Sequence, residues 1–360
     1  MKISLIGLDW WGGITRYTEE ALTRLGHDVE PFYYWPAIQY AAPWKRGLNR
    51  LANMRYIHGA LRRLIGSNQG TALQDLRSGF EASLLKRMNQ ALIKAVLRQS
   101  PDLIFVIKGE TILPETLAGL KKDLKVPVVS WLMDKPFPEG APNFISQSLR
   151  LMDHVFIFDS YYVDELQRAG VKNVHHLPFA CNPEIYRTIK LSNDEADIYR
   201  SQVSFMGVSQ PRREKMIMEL SQFDLRVWGP GWTFAEYNNA RVVNRVVPLE
   251  EAVKIYNASE IVLNQNHPQS VYGTNMRTFE VAACGAFQLT DHKKEMDAFF
   301  EPGAEMVYYN DIDDLKEKIQ YYLSHPKERM AIAARAQLRV QLDHTYERRM
   351  TDVLRIINGG

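Results

Sequence analysis

The stretch NMRTFEVAACGAFQLTD (275–291) decides how the chain reads. Met276, Phe279, Val281, Ala282, Ala283 and Cys284 leave a short helix apolar nearly all round, so it is expected to be buried. Gly285 stops that helix and AFQLT follows as a strand, one step of an α/β sheet. Arg277 and Glu280, three positions apart, fall on one side of the helix, near its amino end where backbone N–H groups attract anions. The structural alternative is a local ion pair, which stabilises a helix surface by only about 0.3–0.5 kcal/mol and is costly in apolar surroundings. An arginine suits a diphosphate and a glutamate suits ribose or sugar hydroxyls. With the helix start at Thr274, Asn275 and Met276, the segment fits a sugar nucleotide.

Outward from this stretch the same alternation fills the chain twice. Short β-branched or aromatic runs at 2–8, 28–34, 102–108, 126–133, 154–159 and 173–179 are separated by helical patterns. A second set follows at 202–207, 225–229, 260–265, 286–290 and 304–309, with helices near 211–222, 248–257, 274–284, 294–300 and 312–325. The pattern predicts right-handed βαβ units and two Rossmann-like, doubly wound α/β domains. Asn182 to Arg200 is polar, opens with Asn-Pro and lacks a strand, which places a linker at 182–200 between domains at 1–181 and 201–343. A last helix, about 344–358, follows within 344–360. Two such domains are expected to face a central cleft at the carboxyl ends of their strands.

Composition fits an enzyme without singling one out. With 360 residues, 46% hydrophobic and 24% charged, the chain is long enough for two sizeable cores and is not of disordered type. The net charge of +2 excludes nothing, and no nucleic-acid partner is expected. Cys181 and Cys284 stand far apart in dissimilar apolar contexts, so neither a disulfide framework nor a metal cluster is indicated. The apolar run before Asp9 is too short for a signal-peptide core and no 18-residue apolar stretch occurs, so a cytoplasmic chain with at most peripheral membrane contact is expected.

Several residues carry candidate chemistry. In LDWWGGITRYTEEAL (8–22), Gly12 and Gly13 allow close backbone approach to a ligand, although Gly-Gly is also plain turn chemistry; Asp9, Trp10 and Trp11 either stack on a sugar or are buried. Asp134 ends VPVVSWLM, a run apolar on both faces and therefore a central strand. Its roles are general base for an acceptor hydroxyl, hydrogen-bond acceptor from a sugar, or stabiliser of positive charge; the alternative is an Asx cap before Lys135-Pro136. Lys108 and Glu110 close DLIFVIKGE in a similar place and can replace it. In GPGW (229–232), Trp232 either meets the base or sugar or belongs to a turn. Asp311, Asp313 and Asp314 mimic a metal motif but open a helix, where capping explains them. His175 and His176 lie in a strand-like run with rings to opposite faces and no acid at ligand spacing.

No acidic residue stands between Glu30 and Asp75, while Lys45, Arg46, Arg50, Arg55, Arg62 and Arg63 gather among apolar residues at helical spacing. A basic amphipathic helix at 44–65 either packs on the first sheet or docks an anionic acceptor or membrane surface.

The segment SEIVLNQNHPQSVYGTNMRTFEVAACGAFQLTD (259–291) resembles the C-terminal domain of the CgeB-like (spore-maturation-protein-like) glycosyltransferases, relatives of the glycogen-synthase-like group with the GT-B fold. VVSWLMDKP (128–136), HVFIFDSYYVDELQRAGVKNVHHLPFACNPEIYR (154–187), VSFMGVSQPRREKM (203–216) and VWGPGW (227–232) follow the same order, and the likeness is weakest between about 36 and 100. It implies a last helix that crosses back to the first domain, a donor-side glycine turn at Gly207, and a phosphate contact from Arg212 or Arg213. It also implies a metal-independent hexosyltransferase, without cofactor, that moves a sugar from a nucleotide-diphosphate donor to a hydroxyl of a glycan, lipid-linked or protein acceptor in bacterial surface glycan assembly. Retention at the anomeric carbon is the implied outcome. Many retaining members carry two glutamates eight residues apart; Glu280 matches the second but Tyr272 occupies the first, so inversion with Asp134 stays open. The alternatives are a sugar-nucleotide epimerase and a non-catalytic nucleotide-sugar or glycan-binding subunit.

Overall fold

Residues 1–9, 13–34, 70–138, 144–232, 236–237 and 240–359 are described by the computed structural model. The basic segment 44–65, with Trp10, Trp11 and Gly12, lies outside them. The chain forms two compact units, Met1–Ile157 with Asp164–His175, and Phe158–Val163 with His176–Gly360.

The first unit is built on strands β1 (Lys2–Gly7), β2 (Asp28–Tyr33), β3 (Leu103–Ile107), β4 (Val128–Leu132), β5 (His154–Ile157) and β6 (Val174–His176), in the order β2-β1-β3-β4-β5-β6. β3 and β4 are buried at every position, as central strands covered on both faces must be. Pro31, which lacks an N–H, sits in β2, where an edge strand tolerates it. Helices Ile14–Arg24, Gly70–Gln99, Pro114–Leu124, Phe144–Ser148 and Tyr161–Arg168 alternate with these strands.

The second unit carries β7 (Ser201–Met206), β8 (Leu225–Trp228), β9 (Glu236–Tyr237), β10 (Ala240–Val243), β11 (Ser259–Asn264), β12 (Gln288–Asp291) and β13 (Val307–Tyr309), ordered β13-β12-β11-β7-β8-β10-β9. All its pairs are parallel except β9 with β10. Val203, Phe205, Ile217, Leu225, Val227, Ile261, Leu263, Leu289, Leu315 and Ile319 fill its core.

Two helices go beyond the sequence reading. Asn193–Tyr199 lies within the segment read as a linker; it buries no residue, and a capping box holds it, with Ser192 Oγ accepting from Glu195 N at 3.2 Å and Glu195 accepting from Ser192 N at 2.9 Å. Pro326–Asp343 buries only Arg329, Ile332, Ala333, Ala336 and Val340, and small alanines blur its apolar period. The last helix, Tyr346–Ile357, is fixed by Arg349, 5% exposed, which donates to Pro178 O at 3.0 Å, Phe179 O at 3.1 Å, Asp343 O at 3.1 Å and His344 Nδ1 at 2.9 Å.

At the carboxyl ends of β7 and β8 two glycine turns touch backbone to backbone. Gly207 N donates to Trp228 O at 2.8 Å, and a Cβ on Gly229, whose φ is 135°, would lie 2.1 Å from Gly207 O. Gly229→Ala should therefore lower the melting temperature sharply. Gly26→Ala, at φ 84° with nothing within 4 Å, should cost only the strain of about 1 kcal/mol, and scanning calorimetry of both variants separates clash from strain.

Candidate functional site

In the second unit, chemistry gathers where β7, β11 and β12 end. Arg213 lies in the first turn of helix Pro211–Glu219 and is 7% exposed. Its Nη1 donates to Val208 O at 2.9 Å, its Nη2 to Gln265 O at 3.2 Å, and its guanidinium stands 5.6 Å from the Phe205 ring centre. Nε is buried without a partner. Burial, then the positive charge of Arg277, push its pKa down to about 10, partly offset by Asp291. A buried guanidinium that feels a second guanidinium more strongly than the nearby Asp291 carboxylate is a place where an anion would be stabilised. Arg212, the neighbouring candidate, is exposed.

A satisfied polar network supports this pair. Asn275 N donates to Asn266 Oδ1 at 2.8 Å, Asn275 Nδ2 to Asn264 Oδ1 at 2.9 Å, and Asn264 Nδ2 to Thr278 Oγ1 at 3.0 Å. Asp291 accepts from Asn266 N at 2.7 Å and lies 3.7 Å from Lys293 Nζ. Helix Arg277–Ala283 is only 7 residues long, and the Asn275 and Thr278 amides are already bonded inside the protein. The positive potential therefore comes from side chains more than from the helix end.

Glu280 does not share the exposure of Arg277: it is 6% exposed. Burial pushes its carboxyl up to about 7, against the pull of Arg277 and a hydrogen bond from Tyr186. Its charge also reaches Tyr256, Cys181 and Cys284, whose pKa values are raised first by burial. The buried Tyr256 hydrogen-bonds Arg277. The two buried cysteines, far apart in sequence, both feel Glu280, and Cys181 adds to the upward shift of Cys284.

In the first unit, β3 ends in two residues of positive φ, Lys108 at 68° and Gly109 at 78°. This turn sets Lys108 Nζ 3.1 Å from Asp134 Oδ2 and 3.7 Å from Glu110 Oε1. Buried Tyr34 donates to Glu110 Oε2 at 2.9 Å and accepts from Gly109 N at 2.9 Å. Burial opposes the charge on Lys108, but Asp134 and Glu110 outweigh it and raise its pKa, so the amine stays protonated. The three alternatives of the sequence thus form one cluster, with the Asp134 side chain 44% exposed. Gly13, at φ 66°, opens helix Ile14–Arg24, and Asp9 pairs with Arg16 at 2.8 Å on the surface.

Other expectations are revised. Trp232 is 2% exposed in the core and its ring N–H donates to Gly207 O at 3.0 Å, so it closes the glycine turns and offers no face to a base or sugar. The Gly207 amide is engaged by Trp228 O; the glycine is needed for space, since a Cβ would stand 3.1 Å from Arg213 Nη1. His176 does meet an acid, Glu295 at 3.0 Å, and His175 meets His154 at 3.1 Å. Asp311 caps its helix, accepting from Asp313 N at 3.0 Å and Asp314 N at 2.9 Å. The sequence reading passed over Asp159, although it ends an apolar strand as Asp134 does; it passed over Glu295, Tyr186 and Tyr256 because no local pattern marks them.

Residues 212–355 match the glycosyl transferase-like family. Spore protein CgeB of Bacillus subtilis (strain 168) is 29% identical over 254 residues, 65% of this chain and 76% of that protein. Sucrose-phosphate synthase from Thermosynechococcus elongatus superposes with a TM-score of 0.67 at 13% identity, covering 99% of this chain and 98% of the other. Anabaena HepE in complex with UDP and glucose gives 0.63 at 12% identity over 100% of both chains. The chain has the GT-B fold, and over part of its length it is similar to the glycosyl transferase-like family and to CgeB.

Proposed function

We propose that the protein transfers a sugar from a nucleotide diphosphate to an acceptor hydroxyl, in assembly of a bacterial surface glycan. The observation that carries this reading is the buried Arg213, whose Nε has no partner and which lies within electrostatic reach of Arg277. With Lys293 beside Asp291, cations outnumber carboxylates, which suits a diphosphate and the charge that grows on it as the sugar leaves. The HepE complex with UDP and glucose supports a nucleotide-sugar donor. In this reading the second domain holds the donor and side chains supply its counter-charge, so a chelator leaves turnover unchanged.

The first domain then takes the acceptor. Asp134 accepts the proton of the attacking hydroxyl, with Lys108 aiming its carboxylate and Glu110 beside it. Product stereochemistry separates retention, implied by the likeness to retaining enzymes, from inversion.

Thermal-shift measurement with UDP, GDP, dTDP, ADP and CMP should show stabilisation by at least one nucleoside diphosphate. Arg213→Ala and Arg277→Ala should each weaken that ligand by about ten- to a hundredfold and the bare nucleoside far less. Equal losses for both ligands would assign the arginines to folding alone.

Asp134→Asn should lower turnover by about two to four powers of ten with donor affinity nearly unchanged. Steady-state kinetics beside donor isotherms decide this, and near-normal turnover would move the base to Glu110.

For Glu280 the folded carboxyl titrates near 7 and the ordinary one near 4.5. The folded state binds the proton more tightly, so its contribution to stability falls as pH rises through that window. Glu280→Gln should therefore change the melting temperature little at about pH 4 and raise it at about pH 8, by a free energy on the order of 3 kcal/mol at about 1.4 kcal/mol per unit. Donor affinity should fall at the same time, and a pH series of melting curves with and without the nucleotide checks both.

A further inference from the structure

Two buried carboxylates outside the arginine pair converge on the loop that leads into it. Asp159 is 0% exposed; its Oδ2 accepts from Val271 N at 2.7 Å and Tyr272 N at 3.1 Å, and its Oδ1 from Tyr161 N at 3.0 Å. Glu295 is 9% exposed; its Oε1 accepts from Ser160 N, its Oε2 lies 3.0 Å from His176 Nε2, and its own N donates to Tyr272 O at 2.9 Å. Tyr162 OH donates to Gln269 O at 2.7 Å. The loop 269–273 is thus held along its length by main-chain bonds to residues far away in sequence.

Gly273 shows how closely. A Cβ there would stand 3.1 Å from Glu295 Oε2, 3.1 Å from Phe158 O and 3.2 Å from Asp159 Cα, two of them backbone atoms that cannot step aside. The next residues are Thr274 and Asn275, whose bonds to Asn266 set the start of the helix that carries Arg277. A displaced loop therefore displaces Arg277.

We infer that Asp159 and Glu295 are positioning residues of the donor site, clamping loop 269–273 in the one register that sets where the helix carrying Arg277 begins. The inference rests on the donor reading above. The clamp sets the geometry of a diphosphate contact without touching the ligand, and it leaves Tyr272 presented at the loop's edge, its ring 5.2 Å from Tyr161 and 4.7 Å from Lys294 Nζ.

The test uses three kinds of variant. Asp159→Asn points an NH2 group at backbone N–H donors, Glu295→Ala removes the second carboxylate, and Gly273→Ala shifts the loop while keeping every charge. Calorimetry with UDP or GDP, whichever stabilises the wild type, and with the matching monophosphate should show the diphosphate weakened by about ten- to a hundredfold and the monophosphate much less. Glu295→Gln should recover most of the loss, because its amide oxygen still accepts from Ser160 N. Melting curves report folding in parallel. Unchanged diphosphate affinity, or equal losses for both ligands with a lowered melting temperature, overturns the clamp. A wild type that binds no nucleoside diphosphate overturns the donor reading itself.

Discussion

A parallel sheet covered on both faces leaves polar chemistry only the ends of its strands, and both units obey that constraint. β3 and β4 are buried from end to end, and the chain turns polar only at Lys108, Glu110 and Asp134. β11 and β12 do the same at Asn264 and Asp291. Each cluster stands where the backbone first escapes the sheet; after β3 the positive φ angles of Lys108 and Gly109 make the turn short.

Burial then sets the electrostatic character of the second unit. Arg213, Glu280 and Arg349 are all nearly inaccessible, yet they are treated differently. Arg349 finds carbonyls and a neutral histidine, whose own pKa burial pushes down to about 4. Glu280 moves toward neutrality. Arg213 keeps its charge, with carbonyls on two nitrogens and a second guanidinium nearby. Of the three, only Arg213 is paired in a way that an incoming anion improves.

Much of this was legible because β-branched runs are strong local signals. Strands such as DLIFVI and VPVVSWL announce themselves, and the residues that end them are the exposed polar groups. What stayed hidden depends on contacts distant in sequence or on weak periodicity. β10 carries Arg241 in a run of only four residues, and helix Pro326–Asp343 packs through alanines. On sequence alone Trp232 either meets a base or sugar or belongs to a turn; in the fold its ring N–H bonds Gly207 O inside the core. Glu295 and Asp159 act on main-chain groups more than one hundred positions away, which one sequence does not encode locally.

Lys108 has a consequence for anyone altering the chain. At φ 68° a lysine is strained where glycine is not, so exchanging it for glycine relaxes the backbone while removing the cation between Asp134 and Glu110. Selection for thermal tolerance and selection for turnover would pull this position in opposite directions, making it a site where a sturdier protein and a working one are different molecules.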